Sequence, residues 1–101
     1  MRRKWMDSET NVQILILKND EVLITQIEEV LADIGQPNCK LTSPYKILGK
    51  HETDLPPQER LVPWLVDYTD DNVIMMSSES ILTLVEPHKS LIDAYLKLAT
   101  T

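Results

Sequence analysis

The apolar positions of this chain fall into short clusters separated by turn residues, the spacing expected of a small β domain. Asn11 to Lys18 (NVQILILK) is a compact apolar run that stops at Asn19-Asp20, residues that tolerate the backbone of a tight turn. Its length and branched side chains predict a strand near 11–18 that closes into a hairpin. The next stretch carries two signals. Leu23, Ile27, Val30 and Ile34 recur at helical spacing, with Asp20 as an N-cap and Gly35 just past the end. Against this, Val22, Ile24, Thr25, Ile27, Val30 and Ile34 are β-branched and lose rotamer freedom in a helix. Periodicity alone slightly favours a helix over 20–34, whereas branching favours a strand near 21–30. Read as a strand, its inward parity changes between Ile24 and Ile27, which implies a bulge or sharp bend. The strand is the expectation carried forward.

Beyond the Gln36-Pro37-Asn38 turn, Cys39, Leu41, Ser43, Tyr45 and Ile47 alternate with Lys40, Thr42, Pro44 and Lys46. This predicts a half-buried strand near 39–48 with a basic outer face, and Pro44 marks an edge or a bulge because it lacks an N–H. Gly49 to Arg60 is charged and holds Pro56-Pro57, a long loop. Leu61 to Thr69 is apolar and aromatic, and Asp70-Asp71-Asn72 turns the chain. Two short strands, near 73–77 and 80–85, flank Ser77 to Ser80, and both are apolar on both faces. Such a strand is covered twice or pairs with another chain. A helix near 87–99 closes the chain, with Pro87 in its first turn. Leu91, Ile92, Tyr95 and Leu98 form its apolar stripe, and Lys89, Asp93 and Lys97 face water.

At 101 residues the chain is one domain by length, and its apolar fraction of 43% supports a packed core. With no Phe, that core is built from Leu, Ile, Val and Met. Two glycines are few, so left-handed turn positions fall to Asn and Asp. The net charge of −6 disfavours a phosphate backbone or an anionic membrane as main partner. Residues 1–18 are locally basic, through Arg2, Arg3, Lys4 and Lys18. One cysteine, Cys39, allows no internal disulfide, and no apolar run approaches membrane-spanning length. These features predict a cytoplasmic protein.

Candidate chemistry is sparse. Cys39, His51 and His88 lie far apart without paired spacing, so neither a zinc site nor a Cys–His catalytic pair is expected. Asp67, Asp70, Asp71 and Asn72 collect oxygen ligands, but turns recruit the same residues and the pattern matches no calcium loop. No nucleophile elbow or phosphate-cradling glycine loop is present. The arm Arg2-Arg3-Lys4-Trp5 has the composition to contact phosphates and stack on a base, or to be a solvated terminus. No cofactor, metal or enzymatic activity is expected.

The order of segments resembles the Sm-like family. NVQILILKNDEVLITQIEEV resembles the first Sm motif, a strand ending in Leu-Lys, a tight turn and a bent second strand. Asn38, with Lys40 and Leu41, resembles the loop Asn and the strand that closes that motif. MMSSESILTLVEP resembles the second motif, two brief strands around a tight turn. These segments cover residues 11–48 and 73–87. The resemblance implies a strongly bent, five-stranded antiparallel SH3-like barrel that closes into a ring, the fourth strand of one copy pairing with the fifth of the next. It also implies RNA bound around the pore by the Asn loop and an Arg-Gly pair of the second motif. Here Ser77 and Ser78 stand in place of Arg-Gly, Asp20 replaces a turn glycine, and the helix lies at the C-terminus rather than before the first strand. Ring assembly therefore survives better than RNA binding. The acidic balance and short length point to a phage-encoded or otherwise divergent member rather than a housekeeping one.

The expected organisation is an arm at 1–10, a barrel at 11–86 with an enlarged variable loop at 49–72, and a helix at 87–101. The expected partner is the chain itself, as a cyclic pentamer to heptamer held by Val73, Ile74, Met75, Met76, Ile81, Leu82 and Leu84. Weak RNA contact would fall to Asn38, Lys40 and Ser77. The alternative is a ring or barrel for protein interaction with no nucleic-acid role. No membrane partner is expected.

Overall fold

The computed structural model describes residues 11–100; the arm expected at 1–10, with Thr101, lies outside them. The strands are β1 (Val12–Leu17), β2 (Val22–Glu29), β3 (Cys39–Ile47), β4 (Leu61–Pro63), β5 (Val73–Met76) and β6 (Ile81–Val85), followed by helix α1 (Lys89–Ala99). They form one antiparallel sheet in the order β4-β3-β2-β1-β6, with β5 also on β3. The protein is mostly β with a C-terminal helix, and the sheet is open.

The ambiguous segment is a strand, and its helical spacing has a simple origin. Both faces of β2 are covered, so Leu23 and Ile27 pack into one core while Ile24 packs into another. Val30 and Ile34, which completed the helical pattern, lie beyond the strand in the β2–β3 hairpin, where Val30 N–H donates to the Asn38 carbonyl at 2.9 Å. The first hairpin turns at Lys18-Asn19-Asp20. Asp20 takes φ +70°, the left-handed position that in this glycine-poor chain falls to an aspartate.

A sixth strand, β4, occupies the segment expected as a variable loop. It arises because β3 offers one edge to two partners: residues 39–42 pair with β5, and Tyr45 to Ile47 pair with β4. Between them lies a bulge. Ile24 faces Tyr45 but Gln26 faces Thr42, so β3 carries one extra residue at Ser43-Pro44, and Ser43 takes φ +52°. The expected bend is therefore real, but the extra residue sits in β3 rather than in β2. A one-residue slip exchanges the faces of a strand. Cys39 and Leu41 accordingly enter the inner core, while Tyr45 and Ile47, of the same parity, turn toward α1.

The inner core gathers Leu15, Leu17, Leu23, Ile27, Cys39, Leu41 and Met76 on the concave face of the sheet. The outer core packs Leu91 and Tyr95 of α1 on Val12 and Ile24. The helix begins at Lys89 behind His88, so Pro87 precedes the cap instead of opening the first turn as expected. Leu98 is a second correction, because the buried face centres on Leu91 and Tyr95, with Ile92, Leu96 and Ala99 beside them, and leaves Leu98 42% exposed at its margin. The Tyr95 hydroxyl ties α1 to the bulge. It lies 2.8 Å from the Ser43 carbonyl and 3.0 Å from that of Thr42, and it accepts from Gln26 N–H at 3.3 Å. Its ring meets Tyr45 edge-on at 5.7 Å.

The sheet is curled. Flattened, four strand spacings of roughly 4.8 Å would separate β5 from β6 by about 19 Å. Met76 and Ile81 are instead joined through the tight 3-10 turn Ser78–Ser80, which rises only about 2 Å per residue. Lys18 N–H donates to the Ser80 carbonyl at 3.1 Å and fixes this turn against the first hairpin. Curling brings both edges to one turn without pairing them, since β5 and β6 share no ladder.

Candidate functional site

The expected RNA-contact residues and the expected subunit interface both fall on or beside the β5–β6 region. Among the described residues each strand is paired on one side only, β5 with β3 and β6 with β1. Alternation divides the side chains of β5, whereas in β6 a register shift against β1, which pairs Ile16 with Thr83 but Leu17 with Ile81, breaks the parity at Leu82. Ile74, Met76, Ile81 and Leu84 pack on the protein's own inner core. Val73 (42% exposed), Met75 (45%), Leu82 (63%) and Val85 (39%) are left outside. Of the seven residues expected at a subunit interface, Val73, Met75 and Leu82 are thus the outward ones, and Val85 joins them. An unpaired strand edge bearing apolar side chains is a template for pairing with another chain.

The turn between these strands meets the β2–β3 hairpin. Ser78 N–H donates to Asn38 Oδ1 at 2.8 Å, and Asn38 Nδ2 donates to Ser78 Oγ at 3.2 Å. Ser77 Oγ accepts from Glu79 N–H at 3.3 Å and caps the turn. Residues forty apart in sequence, Asn38 and Ser78, are therefore in direct contact, and Ser77 adjoins them. Asn38 spends both ends of its amide on Ser78. Lys40, the expected charge, sits 3.4 Å from Glu28 across the β2–β3 ladder. An anion arriving here would find a cation already compensated and a carboxylate, Glu79, within the turn. Behind the turn an open cavity of about 470 Å³ is lined by Leu17, Lys18, Trp64, Met76, Ser77 and Glu79. Trp64 is held there by its indole N–H, which donates to Glu21 Oε2 at 3.3 Å.

Burial pushes the Tyr95 phenol above its ordinary value, opposed by its hydrogen bonds to β2. Among the described residues no three His, Cys, Asp or Glu side chains converge as a metal site. Cys39 is buried in the inner core. Among the described residues no helix is long and apolar enough to cross a membrane.

Sequence reasoning missed the tip of the β2–β3 hairpin. Leu31 and Ile34 are each 104% exposed, the most exposed large apolar side chains described. The helical spacing of Ile34 with Leu23, Ile27 and Val30 had suggested a core role for it, and Leu31 had not been singled out. The available signal was Gly35 followed by Pro37, which places both residues in a turn.

Over the described residues, fold and site together define a small curled β-sheet module with a C-terminal helix and two half-paired apolar edges. The sequence matches, over residues 10–100, a family of unknown function, DUF6561, and the chain belongs to that family. No curated protein matches it.

Proposed function

We propose that this protein is a ring-forming module of the Sm-like kind, in which β5 of one copy pairs with β6 of the next. The observation that carries this reading is the pair of half-paired apolar edges on one curled sheet. Their outward residues, Val73 and Met75 on one edge and Leu82 and Val85 on the other, match in chemistry, and the two strands share no ladder within one copy. Heterologous pairing of this type repeats around an axis and closes the sheet of each copy onto its neighbour. Within such a ring the barrel-like curl is completed between copies. The resulting role is to present a multivalent protein surface.

Weak binding of single-stranded RNA is the second reading, favoured by the convergence of Asn38, Lys40 and Ser77 at one end of the sheet. The pairing of Asn38 with Ser78 and of Lys40 with Glu28 makes that affinity micromolar or poorer. Light scattering of the wild type and of Met75→Lys and Leu82→Lys tests ring formation, because both positions are exposed and a lysine there leaves the cores intact. The wild type should be a closed oligomer and each variant should fall to smaller species. A wild type that is monomeric at micromolar concentration refutes the proposal.

A further inference from the structure

The hairpin tip, residues 30–38, is unlike the rest of this acidic surface. Its only charged residue is Asp33, while Leu31 and Ile34 stand fully in solvent. The tip is also shaped. Val30 N–H bonds to the Asn38 carbonyl at its base, Gln36 N–H donates to the Asp33 carbonyl at 3.0 Å, and Gly35 takes φ +86° to make the reversal. The Asn38–Ser78 bonds anchor the base to the β5–β6 turn, so the tip extends past the end of β5. The tip offers no cation to a nucleic acid or an anionic membrane. What it presents is a small apolar knob on a braced stalk.

We infer that these tips are a second self-association surface, and that two rings dock face to face through them. The inference rests on the proposed ring. Cyclic symmetry sets every copy's tip at one height and one radius, so a ring carries a collar of Leu31 and Ile34 on a single face. Area decides the occupant. At roughly 100 Å² of apolar side chain per residue, two isolated tips bury roughly 400 Å², well below the about 1,200 Å² of a stable interface. Two facing collars of pentamers to heptamers bury roughly 2,000–2,800 Å², which is sufficient. One Asp33 per copy opposes the contact, and salt screens that repulsion.

Native mass measurement of the full chain, with Leu31→Lys/Ile34→Lys and Met75→Lys/Leu82→Lys double variants, tests this. The wild type should have the mass of two rings, the tip variant half that mass, and the edge variant the mass of a monomer. Raising salt should increase the two-ring share of the wild type. A wild type found only as a single ring overturns the face-to-face inference and leaves the ring standing. That single ring binding an apolar-surface dye, with dye binding lost in the tip variant, would assign the collar to an unrelated apolar partner. A tip variant that keeps the doubled mass also overturns the inference. A monomeric wild type overturns the ring and this inference with it. Circular dichroism matching the wild type confirms that each variant is folded, and Leu31→Ser/Ile34→Ser, a milder pair, should halve the mass as well.

Discussion

Replacing Tyr95 with Phe removes one oxygen atom from the junction on which the fold turns. The ring stays fully buried against Val12 and Ile24 and keeps its edge contact with Tyr45, so packing changes little. What is lost is the hydroxyl between the Ser43 and Thr42 carbonyls and Gln26 N–H. Thr42 keeps a second partner, since the Thr25 hydroxyl donates to the same carbonyl at 3.0 Å. The Ser43 carbonyl and Gln26 N–H lose theirs, beside a bulge where regular ladder bonds are interrupted. A buried group left unsatisfied costs about 1–3 kcal/mol, so the pair should cost about 2 kcal/mol after partial relaxation. For a domain of this size that lowers Tm by roughly 10 °C. Urea unfolding of both proteins at one fixed concentration measures it, fixed because self-association would otherwise shift apparent stability. Tyr95→Ala should cost more, about 3–5 kcal/mol, because it also empties the outer core. A Tyr95→Phe loss below about 0.5 kcal/mol would show that the hydroxyl does not hold the bulge, whose natural cost of an unpaired group is several times that.

Alkaline titration gives a related expectation. The folded pKa of Tyr95 is raised by burial, so its contribution to stability is fully present below the unfolded value of about 10 and is lost as pH rises above it. Spectrophotometric titration should find one tyrosine that ionises above the ordinary phenol value, and Tyr95→Phe should abolish that step. Arg60 is 9% exposed and its Nε has no hydrogen-bond partner among the described residues, so Arg60→Met should be neutral or stabilising by about 1 kcal/mol in thermal unfolding; a loss above about 1 kcal/mol would show the guanidinium to be satisfied. Asp20→Gly, at φ +70° in an exposed turn, should stabilise by a few tenths to about 1 kcal/mol, and a loss of stability would mean that the turn depends on the carboxylate. Ser77→Arg should tighten binding of a labelled single-stranded RNA and steepen its salt dependence; nanomolar binding by the wild type would show that the missing Arg is not limiting.

Strand positions were legible because branched apolar clusters and turn residues act locally. Val12–Leu17, Cys39–Ile47, Val73–Met76 and Ile81–Val85 all lie within the segments their patterns marked. What stayed hidden depends on long-range pairing. β4 forms because β3 outlasts β5 and has an edge to spare, a fact no window around Leu61–Pro63 contains. The face exchange at Ser43-Pro44 was invisible for the same reason, since parity along β3 looks unbroken in sequence. Pro44 announced an irregularity but not its consequence for Tyr45 and Ile47. At the candidate site, the resemblance drew attention to Asn38 and Ser77, which fold to one place. That Asn38 is occupied by Ser78, and Lys40 by Glu28, required the geometry. Likewise, a two-sided apolar strand does not reveal which residues look outward. Ile74 belongs to the protein's own core, and Met75 is the side chain on which edge pairing depends.

Edge pairing is the central claim, and the solution mass of the unmodified full-length chain tests it most directly. Measured by native mass spectrometry and light scattering at micromolar concentration, the account predicts a closed assembly of five to seven chains or twice that number, reduced to monomers by Met75→Lys/Leu82→Lys. A monomeric wild type, or an assembly indifferent to both lysines, would contradict it.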